Sequence, residues 1–428
     1  MTTFNRRDFV KSAGALSLLG TSAITGCASV AGGAKPRVVV VGGGYGGATA
    51  AKYIAMWSEG KIDVTLVERG DAFVSCPLSN LVIGGSRQIG DITVSYDGLN
   101  KYGIRRIKGE AVGFDADRRT LTLADGTVLP YDRLILSPGI DFMYETLPGL
   151  ATAEARGKVL AAWKAGPETV ALRKQLVDMR DGGVYAIQIP KAPYRCPPGP
   201  YERACQVAWY FQQAKPKSKV LILDANEDVT SKKGLFMAAW NGPFKGVVEY
   251  RNNQEIQDVD ARTNTLKMSF GDDVRADVLN VLPPMRAGTI ATQHGLNNSN
   301  KRWCLIDWLT YESTAVKNVH ILGDALQVAP LMPKSGHMAN QHGKICAAAV
   351  IALLTGDTVS ATPMAANTCY SFVDDKTAMH VATVHRYDAA QKTMLTVPGS
   401  GGLSPAANRT EGTFAYSWSR NIWADMLT

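Results

Sequence analysis

The chain of 428 residues has seven cysteines, and no two of them form a Cys-x-x-Cys or Cys-x-x-Cys-His pattern. That absence argues against a zinc ribbon, a thioredoxin-like dithiol and a haem attached covalently to this chain. No group of His, Cys and Asp has the spacing of a metal site, so no metal is expected. Lys and Arg never run longer than two in a row with interleaved aromatics, which excludes a nucleic-acid partner on charge pattern. Past the first thirty residues no apolar stretch reaches the length of a transmembrane segment, about 18 residues or more. What remains is a composition of 46% hydrophobic and 20% charged residues, that of a soluble globular protein, in a chain long enough for two or three domains. The net charge is +8, of which Arg6, Arg7 and Lys11 against Asp8 supply 3 − 1 = +2. A mildly basic body suits an acidic protein partner or small anions.

The N-terminus carries Asn5-Arg6-Arg7-Asp8-Phe9-Val10-Lys11 before a modest apolar stretch from Ala13 to Thr25. Paired arginines ahead of a run too short and too rich in Gly and Ser to span a bilayer read as a twin-arginine export signal over residues 1–34, with a periplasmic destination. Ile24-Thr25-Gly26-Cys27 has the form of a lipoprotein cleavage site with Cys27 as lipid acceptor; simple cleavage nearby is the alternative. An exported location permits disulfides.

Arg37-Val38-Val39-Val40-Val41 is a β-branched run of the kind that forms a strand buried on both faces. It enters Gly42-Gly43-Gly44-Tyr45-Gly46-Gly47 and then a helical stretch, Ala48 to Trp57. Gly42, Gly44 and Gly47 have the G-x-G-x-x-G spacing: a tight turn, close approach of backbone to a pyrophosphate, and helix packed on strand. The next strand, Asp63 to Glu68, ends in an acid placed to accept from ribose hydroxyls. Further on, Tyr131-Asp132-Arg133-Leu134-Ile135-Leu136-Ser137-Pro138-Gly139 and Asn318-Val319-His320-Ile321-Leu322-Gly323-Asp324-Ala325 resemble the two later FAD segments of flavoproteins with two dinucleotide-binding domains. The resemblance implies an α/β, glutathione reductase-like fold with FAD as cofactor and Asp324 on its ribityl chain. The FAD domain would be discontinuous, residues 35–149 and 284–358.

Residues 150–283 would form an NAD-binding-like domain. After its first strand, Val184 to Ile189, where a second glycine fingerprint belongs, stand Pro190-Lys191-Ala192-Pro193-Tyr194-Arg195-Cys196-Pro197-Pro198-Gly199-Pro200. Bulky residues and prolines cannot let a pyrophosphate approach the backbone, so the fold is expected without the nicotinamide site.

Arg195-Cys196-Pro197-Pro198-Gly199-Pro200-Tyr201-Glu202-Arg203, Asn367-Thr368-Cys369-Tyr370-Ser371 and Ser75-Cys76-Pro77-Leu78-Ser79-Asn80 together resemble the flavoprotein subunit of flavocytochrome c sulfide dehydrogenase, a family related to sulfide:quinone oxidoreductases. Met332-Pro333-Lys334-Ser335-Gly336 and Tyr416-Ser417-Trp418 extend the similarity over essentially the whole mature chain. The resemblance implies a redox-active Cys196–Cys369 disulfide, FAD held covalently by a thioether to Cys76, sulfide as substrate, and a c-type cytochrome subunit that carries the haem. Glu202 would move a proton near the disulfide, or serve as an acid at a helix start. Lys334 would offset charge on the reduced flavin, or be a solvated lysine. Pro77 stands where relatives often carry an aromatic. Cys205, Cys304 and Cys346 are expected to be buried, and His337 and His342 to be packing residues. The alternatives in function are a quinone-linked sulfide oxidoreductase and an accessory flavoprotein of a sulfur-oxidising complex.

From about Ser360 the pattern changes. Cys369 to Val384 alternates like strand, and residues 359–428 are expected to form a small α+β domain that carries Cys369 back to the flavin. Asn421 to Leu427 reads as a short, weakly amphipathic segment.

Overall fold

The computed structural model describes residues 34–428; the paired arginines and Cys27 lie outside them. The valine run forms the centre of a five-stranded parallel sheet in the order Val319–Ile321, Arg133–Leu136, Arg37–Val41, Asp63–Glu68, Arg105–Lys108. Val38 to Val41 are all buried, in one core with Ala48 and Ile54 of the following helix and with Leu121, Leu123 and Leu129, so the strand has no side left for polar residues. The helices Tyr45–Trp57 and Gly336–Thr355 pack along one another against this sheet.

The chain leaves this unit through Ile140–Phe142 and returns through Met285–Ala287, and these two strands pair antiparallel. Between them lies a second parallel sheet in the order Val248–Arg251, Lys219–Asp224, Val184–Ile189, Val278–Val281. Each parallel sheet is accompanied by a three-stranded antiparallel meander, built from residues 111–130 in the first case and 256–275 in the second.

A third sheet is antiparallel. Met364–Phe372 pairs along its whole length with Ala378–Asp388, which also pairs with Thr393–Thr396 and Gly402–Leu403. The chain then forms a helix over Arg409–Leu427, much longer than the short segment expected from Asn421. The Asn408 side chain accepts from the Glu411 N–H at 2.9 Å and starts it, as an N-cap residue does. Ile422, Trp423, Met426 and Leu427 are buried, and the helix lies on Tyr45–Trp57. Pro36–Thr428 forms one compact unit. Among the described residues no helix is long and apolar enough to cross a membrane.

Candidate active site

The glycine turn closes tightly on itself. A Cβ on Gly47 would lie 1.9 Å from the Gly42 carbonyl oxygen, and one on Gly42 would lie 2.4 Å from that of Ser137. Gly44, by contrast, has nothing within 4 Å of such an atom: its open side faces a cleft of about 1280 Å³, lined also by Glu68, Ser137, Gly139 and Arg195. Glu68 accepts from Gly43 N–H at 2.6 Å and from Gly70 N–H at 2.7 Å, which leaves each carboxylate oxygen a further acceptor site. The helix from Tyr45 begins with neither a side-chain cap nor an acid in its first turn. Its first N–H groups are therefore available to an anion.

A second cavity, about 910 Å³, shares Arg195 with the first. Its walls include Tyr45, Cys76, Trp163, Cys196, Glu202, Asp324, His337, Cys369 and Trp418. Gly323 takes a left-handed backbone (φ +75°) and begins the single turn that presents Asp324. The Oδ1 of Asp324 and the Nε of Arg195 are buried without a protein partner, and burial pushes the Asp324 carboxyl up. Orphaned buried polar atoms require a ligand or solvent partner. A phosphate cradle at one end, an unpartnered acid midway and an aromatic-walled chamber beyond fit the pyrophosphate, polyol chain and ring of FAD.

Cys76 opens on that chamber. Its thiol meets the Trp163 carbonyl at 3.9 Å and the Arg195 guanidinium. The turn around it is locked: Ser75 Oγ donates to Pro77 O at 2.7 Å, so Tyr45 donates to Ser75 at 2.7 Å and accepts from Trp423 Nε1 at 3.1 Å. Lys334 corrects the reading of a solvated side chain. It is buried, donates to the carbonyls of Asp324 (3.0 Å) and Leu326, and lies 3.6 Å from the centre of the Trp303 ring. Burial lowers its pKa to about 7. It braces Asp324 from behind and is not among the residues that line the cavity.

The strongest convergence is at the two distant cysteines. Cys196 has a left-handed backbone (φ +59°), donates its N–H to Lys334 O at 2.9 Å and accepts from Gly199 N–H at 2.9 Å. Helix Gly199–Ala214 starts there with a proline in its first turn, which suits proline because that N–H has no intrahelical partner. Cys369 sits in the strand Met364–Phe372, opposite Val381. The two cysteines are free thiols in the wall of one cavity, near enough that each governs the ionisation of the other. Cys369 beside it holds the Cys196 thiol well above the usual range, with burial adding to it. Cys196 in turn lowers Cys369, and the Lys232 ammonium lowers it further against burial.

Glu202 is buried in the first turn of the helix. It accepts from Asn80 Nδ2 at 2.9 Å and from the Phe372 N–H at 2.8 Å, and desolvation raises its pKa despite both bonds. Lys232 and Arg195 carried no role in the sequence reading, and His337 only a packing one. Lys232 is buried, and its Nζ donates to Cys369 O at 2.6 Å and Ser371 Oγ at 2.8 Å. His337 is a correction to a pure packing role: it lines the chamber, accepts the Thr368 N–H on Nδ1 at 2.9 Å, and packs edge-on to Trp418. Only the adjacency of Arg195 to Cys196 was a sequence signal for any of the three. His342 is packing, as expected, between Trp308 and Tyr311, and Cys205, Cys304 and Cys346 are buried.

The second parallel sheet ends without a phosphate cradle. Asp224, the acid at the end of Lys219–Asp224, accepts from Tyr201 OH at 2.7 Å and Tyr250 OH at 3.1 Å, and Tyr194 OH meets Thr230 Oγ1 at 2.8 Å beside them. Tyr201 of the Cys196 helix and Tyr250 of the strand Val248–Arg251 thus occupy the acid that a ribose would use.

Two parallel sheets, the inner one hosting a dinucleotide cradle and the inserted one lacking it, define a two-domain FAD-binding α/β oxidoreductase; residues 36–175 match the family model for pyridine nucleotide-disulphide oxidoreductases. Residues 169–283 match the central region of the sulfide dehydrogenase [flavocytochrome c] flavoprotein chain, and residues 361–427 match the flavin-binding region of flavocytochrome c sulphide dehydrogenase. Over 46 residues, 11% of this chain, it is 61% identical to the flavoprotein chain of sulfide dehydrogenase [flavocytochrome c] from Chlorobaculum thiosulfatiphilum, of which 94% is covered. The chain belongs to the flavocytochrome c sulfide dehydrogenase flavoprotein family. It is also 24% identical over 297 residues to the mitochondrial sulfide:quinone oxidoreductase of Dictyostelium discoideum, covering 67% of this chain and 65% of that one. The match therefore spans just under two thirds of that relative's length. The fold is shared with the sulfide:quinone oxidoreductase of Aquifex aeolicus (TM-score 0.74, 16% identity, 91% of each chain).

Proposed function

We propose that this chain oxidises sulfide through a Cys196–Cys369 disulfide beside FAD and passes the electrons to a c-type cytochrome subunit, in the periplasm after twin-arginine export. The observation that carries the reading is the meeting of these two thiols in the wall of the cavity that fits FAD, with Glu202 and Lys232 beside them.

Hydrosulfide is a soft nucleophile, and a disulfide sulfur is its natural electrophile. Attack on the pair makes one S–S bond, breaks another, and leaves a persulfide and a thiolate. Closing the disulfide again expels the sulfur atom as elemental sulfur or polysulfide and releases two electrons and one proton for each hydrosulfide. When bound, FAD supplies a two-electron acceptor that can pass electrons on singly. Glu202, its pKa raised by burial, is placed to hold the proton. Arg195, Asp324 and the Gly42–Gly47 turn would hold the cofactor, with Cys76 as its covalent anchor.

The tyrosines on Asp224 favour a small reductant over NADH. Ile422, Trp423, Met426 and Leu427 of the last helix are buried within the chain, which favours a soluble acceptor over a membrane quinone. The test is anaerobic titration of the purified holoprotein with sulfide, followed by flavin absorbance. Bleaching is expected with the parent and not with Cys196→Ser or Cys369→Ser; bleaching of all three at one rate overturns the disulfide route. Faster reoxidation by a soluble quinone analogue than by cytochrome c overturns the acceptor.

A further inference from the structure

Lys232 is a buried cation that neither the nucleotide cradle nor the sulfide chemistry above uses. It precedes the helix Lys233–Asn241 of the inserted unit, with a left-handed backbone (φ +57°), and reaches the strand that carries Cys369. Its two hydrogen bonds go to neutral oxygens, the Cys369 carbonyl and the Ser371 hydroxyl, so two of its three N–H donors are taken and its charge is not matched by a bonded carboxylate. A buried ammonium held in this way stabilises any negative charge that forms near it.

The pair of thiols beside it is asymmetric. Cys196 lies on a loop pinned to the Lys334 carbonyl, and Cys369 lies on the strand that Lys232 grips. We propose that Lys232 is a positioning residue that sets the polarity of the Cys196–Cys369 pair: it stabilises the thiolate of Cys369, so that hydrosulfide attacks Cys196. The step balances as hydrosulfide plus disulfide giving the Cys196 persulfide and the Cys369 thiolate. The new bond joins the substrate sulfur to Cys196 Sγ, and the electron pair of the broken bond goes to Cys369 Sγ. The better-stabilised thiolate is the faster leaving group. The inference rests on the disulfide reading above and adds which sulfur receives the substrate.

The groups that face Cys369 are few. Glu202 opposes its ionisation, and Cys196 and Lys232 favour it. Glu411 acts on Lys232 from the final helix, Arg195 favours ionisation of Cys196 on the other side, and His337 holds the neighbouring Thr368 N–H. Of these, Lys232 is the cation that acts on Cys369.

Two measurements on the FAD-loaded full chain test this. In the first, Cys196→Ser leaves Cys369 as the sole thiol of the pair, and the pH dependence of its alkylation by iodoacetamide, read by peptide mass, gives the thiolate midpoint. Adding Lys232→Met is expected to raise that midpoint by about one pH unit or more, a tenfold loss of thiolate at lower pH. Lys232→Arg should restore it, and Lys232→Gln, which keeps a donor for Cys369 O but no charge, should behave as Met does. A midpoint unmoved by both Met and Gln overturns the proposal, as does restoration by Gln. Should the Met variant fail to fold, the Gln and Arg pair decides alone.

In the second measurement, the parent is mixed anaerobically with sulfide, trapped with iodoacetamide and mapped. Persulfide on Cys196 supports the polarity, and persulfide on Cys369 overturns it. Persulfide on neither, with no bleaching of the flavin, overturns the sulfide reading itself. The alkylation arm uses no sulfide and then still decides whether Lys232 governs the thiolate.

Discussion

Glu202 accepts the backbone N–H of Phe372 at 2.8 Å, so the helix that follows Cys196 and the strand that carries Cys369 are joined by a carboxylate that also lines the cavity. Burial raises its pKa above the ordinary 4.5. The folded chain therefore binds this proton more tightly than the unfolded chain does. The contribution is fully present below pH 4.5 and is lost as pH rises through the raised folded value. In Glu202→Gln the amide keeps the bond from Phe372 but turns its NH2 toward Asn80 Nδ2. Asn80 cannot flip to compensate, because its Oδ1 accepts from Arg203 Nε at 3.0 Å. The variant should lose about 1–3 kcal/mol for the unpaired buried amide. Its deficit against the parent should narrow as pH rises above 4.5, as measured by denaturant unfolding across pH 4.5–8. A deficit that stays constant over that range contradicts a raised Glu202.

Gly44 and Gly47 separate fold from cofactor. An alanine at Gly47 places its Cβ 1.9 Å from Gly42 O, so the strand–helix packing itself must break; an alanine at Gly44 meets nothing within the protein. Gly44→Ala should fold with a stability within about 0.5 kcal/mol of the parent. Its methyl group should nevertheless project into the cleft and lower FAD affinity by about tenfold or more, about 1.4 kcal/mol. Circular dichroism and bound-flavin content distinguish the two variants: soluble but pale for Gly44→Ala, insoluble or unfolded for Gly47→Ala.

The covalent anchor is tested by acid precipitation. With a thioether to Cys76, flavin fluorescence stays in the pellet of the parent. Cys76→Ser should bind FAD through the same glycine turn and Asp324, yet release it to the supernatant. Complete release from the parent sinks the thioether.

The dinucleotide half of this protein is legible in its sequence because its determinants are contiguous. Val38 to Val41, the three glycines and Glu68 sit within one strand–helix–strand unit, where the apolar run and the turn chemistry report directly on local structure. The cysteine pair was legible only through its surrounding motifs, since nothing in either segment alone encodes the pairing of a proline-wrapped loop with a distant strand. Lys232 and Lys334 were not legible in their burial. Lys232 stands in Ser231-Lys232-Lys233-Gly234 and Lys334 follows Pro333, both compositions of a solvated loop, and only tertiary contacts show that each ammonium sits on carbonyl oxygens. The final helix was missed over most of its length because Gly412 and the serines after it are weak helix formers, and only packing against the rest of the chain makes them helical. Gly412 is there for close approach: a Cβ on it would lie 1.8 Å from Lys376 O.

Arg203 is the clearest case of a side chain whose value is set by what depends on it. It is 1% exposed and donates to Asn80 Oδ1 (3.0 Å), Ala161 O (3.0 Å), Asn280 Oδ1 (2.8 Å) and Ala162 O (2.6 Å), with its guanidinium over the Trp163 ring. Two of those oxygens have second donors: Asn280 Nδ2 serves Ala161 O at 2.8 Å, and Tyr185 OH serves Asn280 Oδ1 at 2.9 Å. Ala162 O and Asn80 Oδ1 rely on Arg203. Arg203→Met fills similar volume but strands both oxygens in the interior, at about 1–3 kcal/mol each, against some recovery from no longer burying a cation. A net loss of about 2 kcal/mol or more is expected in denaturant unfolding, with Arg203→Lys intermediate because an ammonium has three donors and no planar fork, and so cannot meet all four oxygens that the guanidinium serves. The Ala161–Trp163 segment that Arg203 holds carries the carbonyl on Cys76 and an aromatic wall of the cavity. The Met variant should therefore also lose flavin more readily than its stability alone requires. A Met variant within about 0.5 kcal/mol of the parent would mean that solvent reaches those two oxygens and that the segment needs no clamp.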